Sequence, residues 1–237
     1  MYRKFFKRVI DIFGASLTLI VLAIPMLIIA IVVKCDSKGP AIFKTERVGK
    51  DKKPFMFYKF RSMTTDAPKD CATRLLDSGK YITKVGAFLR KTSLDELPQL
   101  FCILKGDMSL IGPRPVVVTE TELMEMRERC GANSVRPGLT GLAQVNGRDI
   151  LTDEAKAKYD GEYVKNITFW GDVKIVLKTL KYVLCSQDVV EGQAHEETVK
   201  TETVQNEQVA EVATTQDQQV VEVATTQDEQ VNEGGNE

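Results

Sequence analysis

Two adjacent acids, Asp95 and Glu96, follow the cations Arg90 and Lys91 and precede an apolar run at 97–104. A helix start beside cations holds anions, so an ionised Asp there can act as a nucleophile toward phosphorus and as a Mg²⁺ ligand. The same residues fit a second role. Ser93 and Glu96 have the Ser-x-x-Glu spacing of a capping box, in which hydroxyl and carboxylate satisfy the orphan amides of a helix start. Spacing alone leaves both readings open. Further cations stand where they could face phosphate: Lys59 and Arg61 alternate with Tyr58 and Phe60, Arg114 is stiffened between Pro113 and Pro115, and Arg136 and Arg148 bound a turn-rich loop. Each also fits a structural reading, as the wet face of a strand, a rigid turn or an irregular loop.

The elements that must position these groups follow from periodicity. Short aromatic and β-branched runs around a Gly-Lys-Asp turn predict a hairpin within 39–63. A polar loop is expected over 64–81. Two short helices, 84–91 and 97–104, then flank the acidic turn, with Pro98 near the start of the second and Leu97, Leu100, Phe101 and Leu104 as its core face. Helices are also expected at 119–129, closed by Gly131, and at 152–164. A last one, 170–184, is amphipathic, with Val173, Val176, Leu177, Leu180 and Leu184 on one side and lysines beside them. It suits either packing on the body or lying in a membrane interface near Trp170.

The chain opens with Arg3, Lys4, Lys7 and Arg8, followed by an almost wholly apolar run at 9–33. As one helix that run would reach about 37 Å, enough for a hydrocarbon core of about 30 Å. A secretory signal is disfavoured by the length of the run and by the absence of a small-residue cleavage site before Lys34. Pro25 interrupts it, either as a kink or as a break that turns the chain back. Lys34, Lys38, Lys44 and Arg47 follow the run just as cations precede it, so the positive-inside rule places neither end outside.

Charge divides the chain. Residues 1–187 hold 31 Lys and Arg against 20 Asp and Glu, whereas residues 188–237 hold 1 against 13. A basic body suits phosphates or acidic lipid. The acidic tail repeats residues 211–220 at 222–231 with an eleven-residue period, lacks aromatics and is expected to be disordered. Five scattered cysteines and a single His argue against a zinc site or a disulfide framework.

Taken together, the motifs resemble the bacterial sugar transferase family of small monotopic phosphoglycosyl transferases. The resemblance covers about residues 3–185 and rests on Lys7-Arg8-x-x-Asp11, the proline-interrupted apolar segment, Arg47-Val48-Gly49 and Tyr58-Lys59-Phe60-Arg61-Ser62-Met63. It rests equally on Leu94-Asp95-Glu96-Leu97-Pro98-Gln99-Leu100, Gly112-Pro113-Arg114-Pro115 and Arg136-Pro137-Gly138-Leu139-Thr140-Gly141. One departure is Ile24, where the family often has Ser before the membrane proline.

The resemblance implies a mixed α/β, helix-rich fold in three parts: a re-entrant, proline-broken membrane helix over 1–36, a catalytic domain over 37–187 with amphipathic interfacial helices, and the tail over 188–237. It implies attachment to the cytoplasmic face of the inner membrane and transfer of a sugar 1-phosphate from a UDP-sugar to undecaprenyl phosphate with release of UMP. Asp95 would be the nucleophile of an aspartyl phosphosugar intermediate. Glu96 would assist it, and Asp95, with or without Glu96, would hold Mg²⁺. Lys59, Arg61, Arg90, Arg114 and Arg136 would bind phosphate. Lys7, Arg8, Asp11 and Pro25 would lie near the membrane and carrier, with Arg8 and Asp11 paired, since an unpaired charge at that depth is costly. Partners would be the two substrates, inner-leaflet lipid and downstream glycosyltransferases of capsule, lipopolysaccharide or exopolysaccharide assembly, and not nucleic acid. The rival classes are a non-catalytic, membrane-anchored nucleotide- or lipid-binding module and a single-pass protein with an external domain.

Overall fold

Among the described residues of the computed structural model, six α-helices and five strands arrange the expected segments around two small sheets. Residues 1–68, 80–147 and 150–185 are described, with side chains to 182. The acidic tail, Arg148, the Leu184 side chain and most of the polar loop lie outside them. The fold is mixed α/β and helix-rich.

The apolar run forms α1 (Lys7–Asp36), entered through a π-helical turn at Tyr2–Phe6. The expected break is not there. Helix α1 continues through Pro25, because a missing amide removes one backbone bond while packing holds the turns on either side. Ala15 and Leu19 pack on Phe55, Phe57, Leu100 and Ile103. Further along, Met26, Ile29, Ala30 and Val33 pack on Phe60 and Leu89. Both halves of the helix therefore rest on the same body. Its other face leaves Phe13, Ile20, Val21, Ile24, Leu27 and Ile31 exposed.

The expected hairpin is β1 (Ile42–Val48) and β2 (Pro54–Phe60), paired antiparallel from Ile42↔Phe60 to Val48↔Pro54. Helices α2 (Lys84–Lys91) and α3 (Gln99–Lys105) flank a 3-10 turn at Leu94–Glu96. Gly86 lets α2 lie against the Ser62 backbone, where a Cβ would collide with the Ser62 carbonyl. Helix α3 turns Gln99, Leu100, Cys102 and Ile103 inward and leaves Phe101 half exposed, so the expected core face is rotated.

Three short strands follow, none foreseen in the sequence: β3 (Ser109–Ile111), β4 (Val116–Val117) and β5 (Gly138–Thr140). Strand β4 extends the hairpin to the order β2-β1-β4, and β3 pairs parallel with β5. Helix α4 (Thr121–Arg129) ends near Gly131, whose φ of 77° suits glycine. Helix α5 (Asp153–Lys165) starts at Thr152, whose hydroxyl accepts from the Ala155 amide. In α6 (Phe169–Cys185) Asp172 and Ile175 are buried, whereas Trp170, Val176, Leu177 and Leu180 point away from the protein.

Candidate active site

Asp95 sits on the turn between α2 and α3, and three neighbouring elements supply its charge environment. Ser93 starts the turn in the left-handed region at φ 56°, and its side chain does not cap it. The capping-box geometry is thus not formed. Glu96 instead meets Arg114 Nη2 at 2.9 Å, and Asp95 is turned inward with 7% of its surface exposed. Among the described residues its carboxylate accepts no hydrogen bond.

Strand β2 brings Lys59, on the same face as Phe55 and Phe57, with its ammonium 5.5 Å from the Phe43 ring centre. Helix α2 brings Arg90, which is buried and donates from Nε to Ser62 Oγ at 2.8 Å. Burial pushes the Asp95 carboxyl up to about 6, and Glu96 adds to the rise, while Lys59, Arg90 and Arg114 oppose it. Burial, reinforced by Arg90, brings Lys59 down to about 8.

Arg47 was missed as a site residue. It lies over the Phe57 ring at 5.4 Å, its buried Nε has no hydrogen-bond partner among the described residues, and it interacts electrostatically with Arg114, Glu96 and Lys59. Burial brings it down to about 10, with Arg114 adding to the fall. Its place opposite Phe55 in the hairpin register was the available signal. Arg127 is a second unforeseen residue. Its Nη1 donates to the Arg114 carbonyl at 2.8 Å, while Nε and Nη2 both reach Asp160 Oδ2, at 2.8 and 2.6 Å. The buried Arg127–Asp160 pair thus holds the backbone of the arginine that grips Glu96.

The other expected residues are placed elsewhere. Arg61 is buried, and its guanidinium donates to the carbonyls of Val33, Ser37 and Lys38, where it satisfies the open C-terminal end of α1. Arg136 donates to the Gly106 carbonyl and lies near Arg8, at the foot of α1. Arg8 and Asp11 do not pair with each other. Arg8 bonds the carbonyls of Ile103 and Leu104, and Asp11 Oδ1 accepts from Ser109 Oγ and the Leu110 amide. Lys7 meets Asp172 Oδ2 at 2.8 Å.

For a metal the donor set is small. No three His, Cys, Asp or Glu side chains converge among the described residues. Two adjacent carboxylates nevertheless suit Mg²⁺, which keeps much of its shell as water and substrate phosphate. Asp95 and Glu96 therefore fit that ion with a phosphorylated ligand present.

Among the described residues, a buried carboxylate that accepts no hydrogen bond stands beside a second acid and three cations, a charge arrangement that suits phosphate. The comparisons agree with that chemistry. The family model described as bacterial sugar transferase matches residues 2–186, and the chain belongs to that family. It is 43% identical over 190 residues to a galactosyl transferase, CpsE, of Streptococcus agalactiae, covering 75% of this chain and 42% of that protein. Identity is also 43% over 182 residues with a UDP-glucose:undecaprenyl-phosphate glucose-1-phosphate transferase of Klebsiella pneumoniae, covering 74% and 39%. An uncharacterized sugar transferase, EpsL, of Bacillus subtilis is 39% identical over 183 residues, covering 77% of this chain and 89% of its own length. The chain spans about two fifths of the first two relatives.

Proposed function

We propose that this protein moves a sugar 1-phosphate from a UDP-sugar to undecaprenyl phosphate and releases UMP, the opening step of a bacterial polysaccharide or glycoconjugate. The observation that carries the reading is Asp95, buried among cations and accepting no hydrogen bond from any described residue. With a pKa of about 6 it is mostly ionised at pH 7, and no described residue donates to its oxygens.

In the first half-reaction an Asp95 oxygen attacks the sugar-bearing phosphorus. The bond to the bridging oxygen breaks, its electron pair leaves with UMP, and the sugar phosphate stays on Asp95. A phosphate oxygen of the lipid carrier then attacks the same phosphorus and restores the carboxylate. Such transfers depend mainly on positioning and charge neutralisation. Lys59, Arg90, Arg114 and Arg47 would neutralise the phosphates, and Glu96 would keep Arg114 aimed. Asp95 and Glu96 would hold Mg²⁺, whose charge offsets that of the diphosphate.

The membrane assignment rests on α1 and α6. A helix whose two halves rest on one body does not carry its ends to opposite faces of a bilayer, so we infer a monotopic anchor that presents its exposed apolar face to lipid. The outward Trp170, Val176, Leu177 and Leu180 of α6 fit the same leaflet, on the cytoplasmic side where UDP-sugars are made. The names of the relatives differ in sugar, galactosyl in one and glucose in another, so the donor is a matter for assay. UMP release by detergent-purified protein from a panel of UDP-sugars, with Mg²⁺ and undecaprenyl phosphate, tests the reading. Lipid-dependent release from one donor supports it. Silence across the panel from folded protein favours a non-catalytic binding module.

A further inference from the structure

We propose that the recess at the foot of α1 binds the phosphate of an anionic phospholipid headgroup, at a site separate from the Asp95 centre. Arg3, Lys4, Lys7, Arg8, Lys50 and Arg136 line this recess of about 100 Å³, with Asp11 and Ser109 among the remaining lining. The three arginines are aimed without being neutralised. Arg8 donates to the carbonyls of Ile103 and Leu104, Arg136 Nε donates to the Gly106 carbonyl at 2.6 Å, and Arg3 reaches Ser134 Oγ at 3.5 Å. Neutral acceptors fix the guanidinium groups and leave their charge in place. Arg8 and Arg136 repel each other, and Lys4 has no partner among the described residues.

Countercharge is limited: Asp11 and Asp107 act on Arg8. Lys7 is matched by Asp172, and Lys50 lies 3.8 Å from Asp51. Asp11 already uses Oδ1 on Ser109 and Leu110. A phosphodiester would supply the missing negative charge and the oxygen acceptors that remaining N–H groups can use.

The surroundings select a lipid over a soluble anion. Tyr2 and Phe169 meet edge to face at 5.9 Å, Phe169 and Trp170 at 5.3 Å, and Phe5, Phe6, Phe169 and Trp170 are exposed. Rings beside cations, next to the bare apolar face of α1, match the composition of a membrane–water interface, where aromatic rings sit at headgroup depth and cations meet lipid phosphate. None of the six lining cations belongs to the set around Asp95. The site therefore stands whether or not the chain transfers sugar phosphate.

The test uses the full chain in neutral detergent, offered equimolar phosphatidylglycerol and phosphatidylcholine, with retained lipid counted by native mass spectrometry. Wild type should favour phosphatidylglycerol by roughly tenfold or more, and Arg3→Gln/Lys4→Gln should lose most of that preference. Lys50→Gln, at an exposed position, serves as the second variant and should weaken it in the same direction should the double variant fail to fold. Fluorescence of Trp170, the sole tryptophan, should shift on addition of phosphatidylglycerol and not of phosphatidylcholine. Equal retention of the two lipids, or undiminished preference in the folded variants, overturns the proposal. Displacement of phosphatidylglycerol by inorganic phosphate alone, without any lipid preference, reassigns the recess to free anions and equally overturns it.

Discussion

At the foot of α1, Asp172 uses both carboxylate oxygens: Oδ2 takes Lys7 at 2.8 Å and the Tyr2 hydroxyl at 2.6 Å, and Oδ1 lies 3.0 Å from the Tyr163 hydroxyl. On the turn after α2, Asp95 is also buried beside cations, yet no described residue donates to it. The difference lies in satisfaction, not in residue type or burial. A carboxylate saturated by donors ties elements together. One that is buried, charged and unbonded has its oxygens available for an incoming phosphorus, and its neighbours hold cations ready for the charge that arrives with it.

The two carboxylates differ most under Asp→Asn at each place. Asp95→Asn should cut UMP release by at least about a thousandfold, since an amide is a poor nucleophile. The same change should raise stability. A carboxyl lifted from 3.8 to about 6 contributes stability below its unfolded pKa and loses it as pH rises through about 6, so at pH 7 ionised Asp95 is a liability of about 3 kcal/mol that Asn removes. A higher melting temperature with lost turnover is the expected pair of results. Asp172→Asn should do the reverse. Breaking a buried ion pair costs about 3–5 kcal/mol, so thermal melts should fall steeply while the surviving folded fraction releases UMP within about threefold of wild type.

Arg127→Lys should have an effect of intermediate size. Lysine keeps the charge opposite Asp160 and loses the fork that holds the Arg114 carbonyl, so the turnover rate should fall roughly ten- to thirtyfold with little change in KM. A rate equal to wild type would make Arg127–Asp160 a purely structural pair. The smallest effect is in pH. Turnover should rise about tenfold from pH 5 to 7 as Asp95 ionises, and decline above about 8 as Lys59 loses its proton. In Lys59→Gln the alkaline decline should vanish while the acid limb stays.

Local patterns were legible. The hairpin, the helices on either side of the acidic turn and α4 to α6 all follow from periodicity and caps, and Lys59, Arg90 and Arg114 lie close enough to act on the Asp95 charge. What escaped depended on distant partners. Strands β3 and β5 are three residues each and pair parallel through Ser109↔Gly138 and Ile111↔Thr140, with no alternation to betray them. Pro25 reads as a breaker until the body that packs against α1 is known. The alternation around Arg61 cannot say whether a guanidinium faces phosphate or the open carbonyls of a helix end. Ser93 matched a capping motif, but its left-handed backbone and the grip of Arg114 on Glu96 override the local signal.

The role of Asp95 is tested most directly by incubating purified protein with the active UDP-sugar and Mg²⁺ while withholding undecaprenyl phosphate. We expect close to one UMP per protein and a sugar-phosphate adduct on the peptide that carries Asp95, absent in Asp95→Asn and discharged when the lipid carrier is added. UMP release that requires the carrier from the outset, with no adduct on that peptide, would mean direct transfer between the substrates and would contradict the role assigned to Asp95.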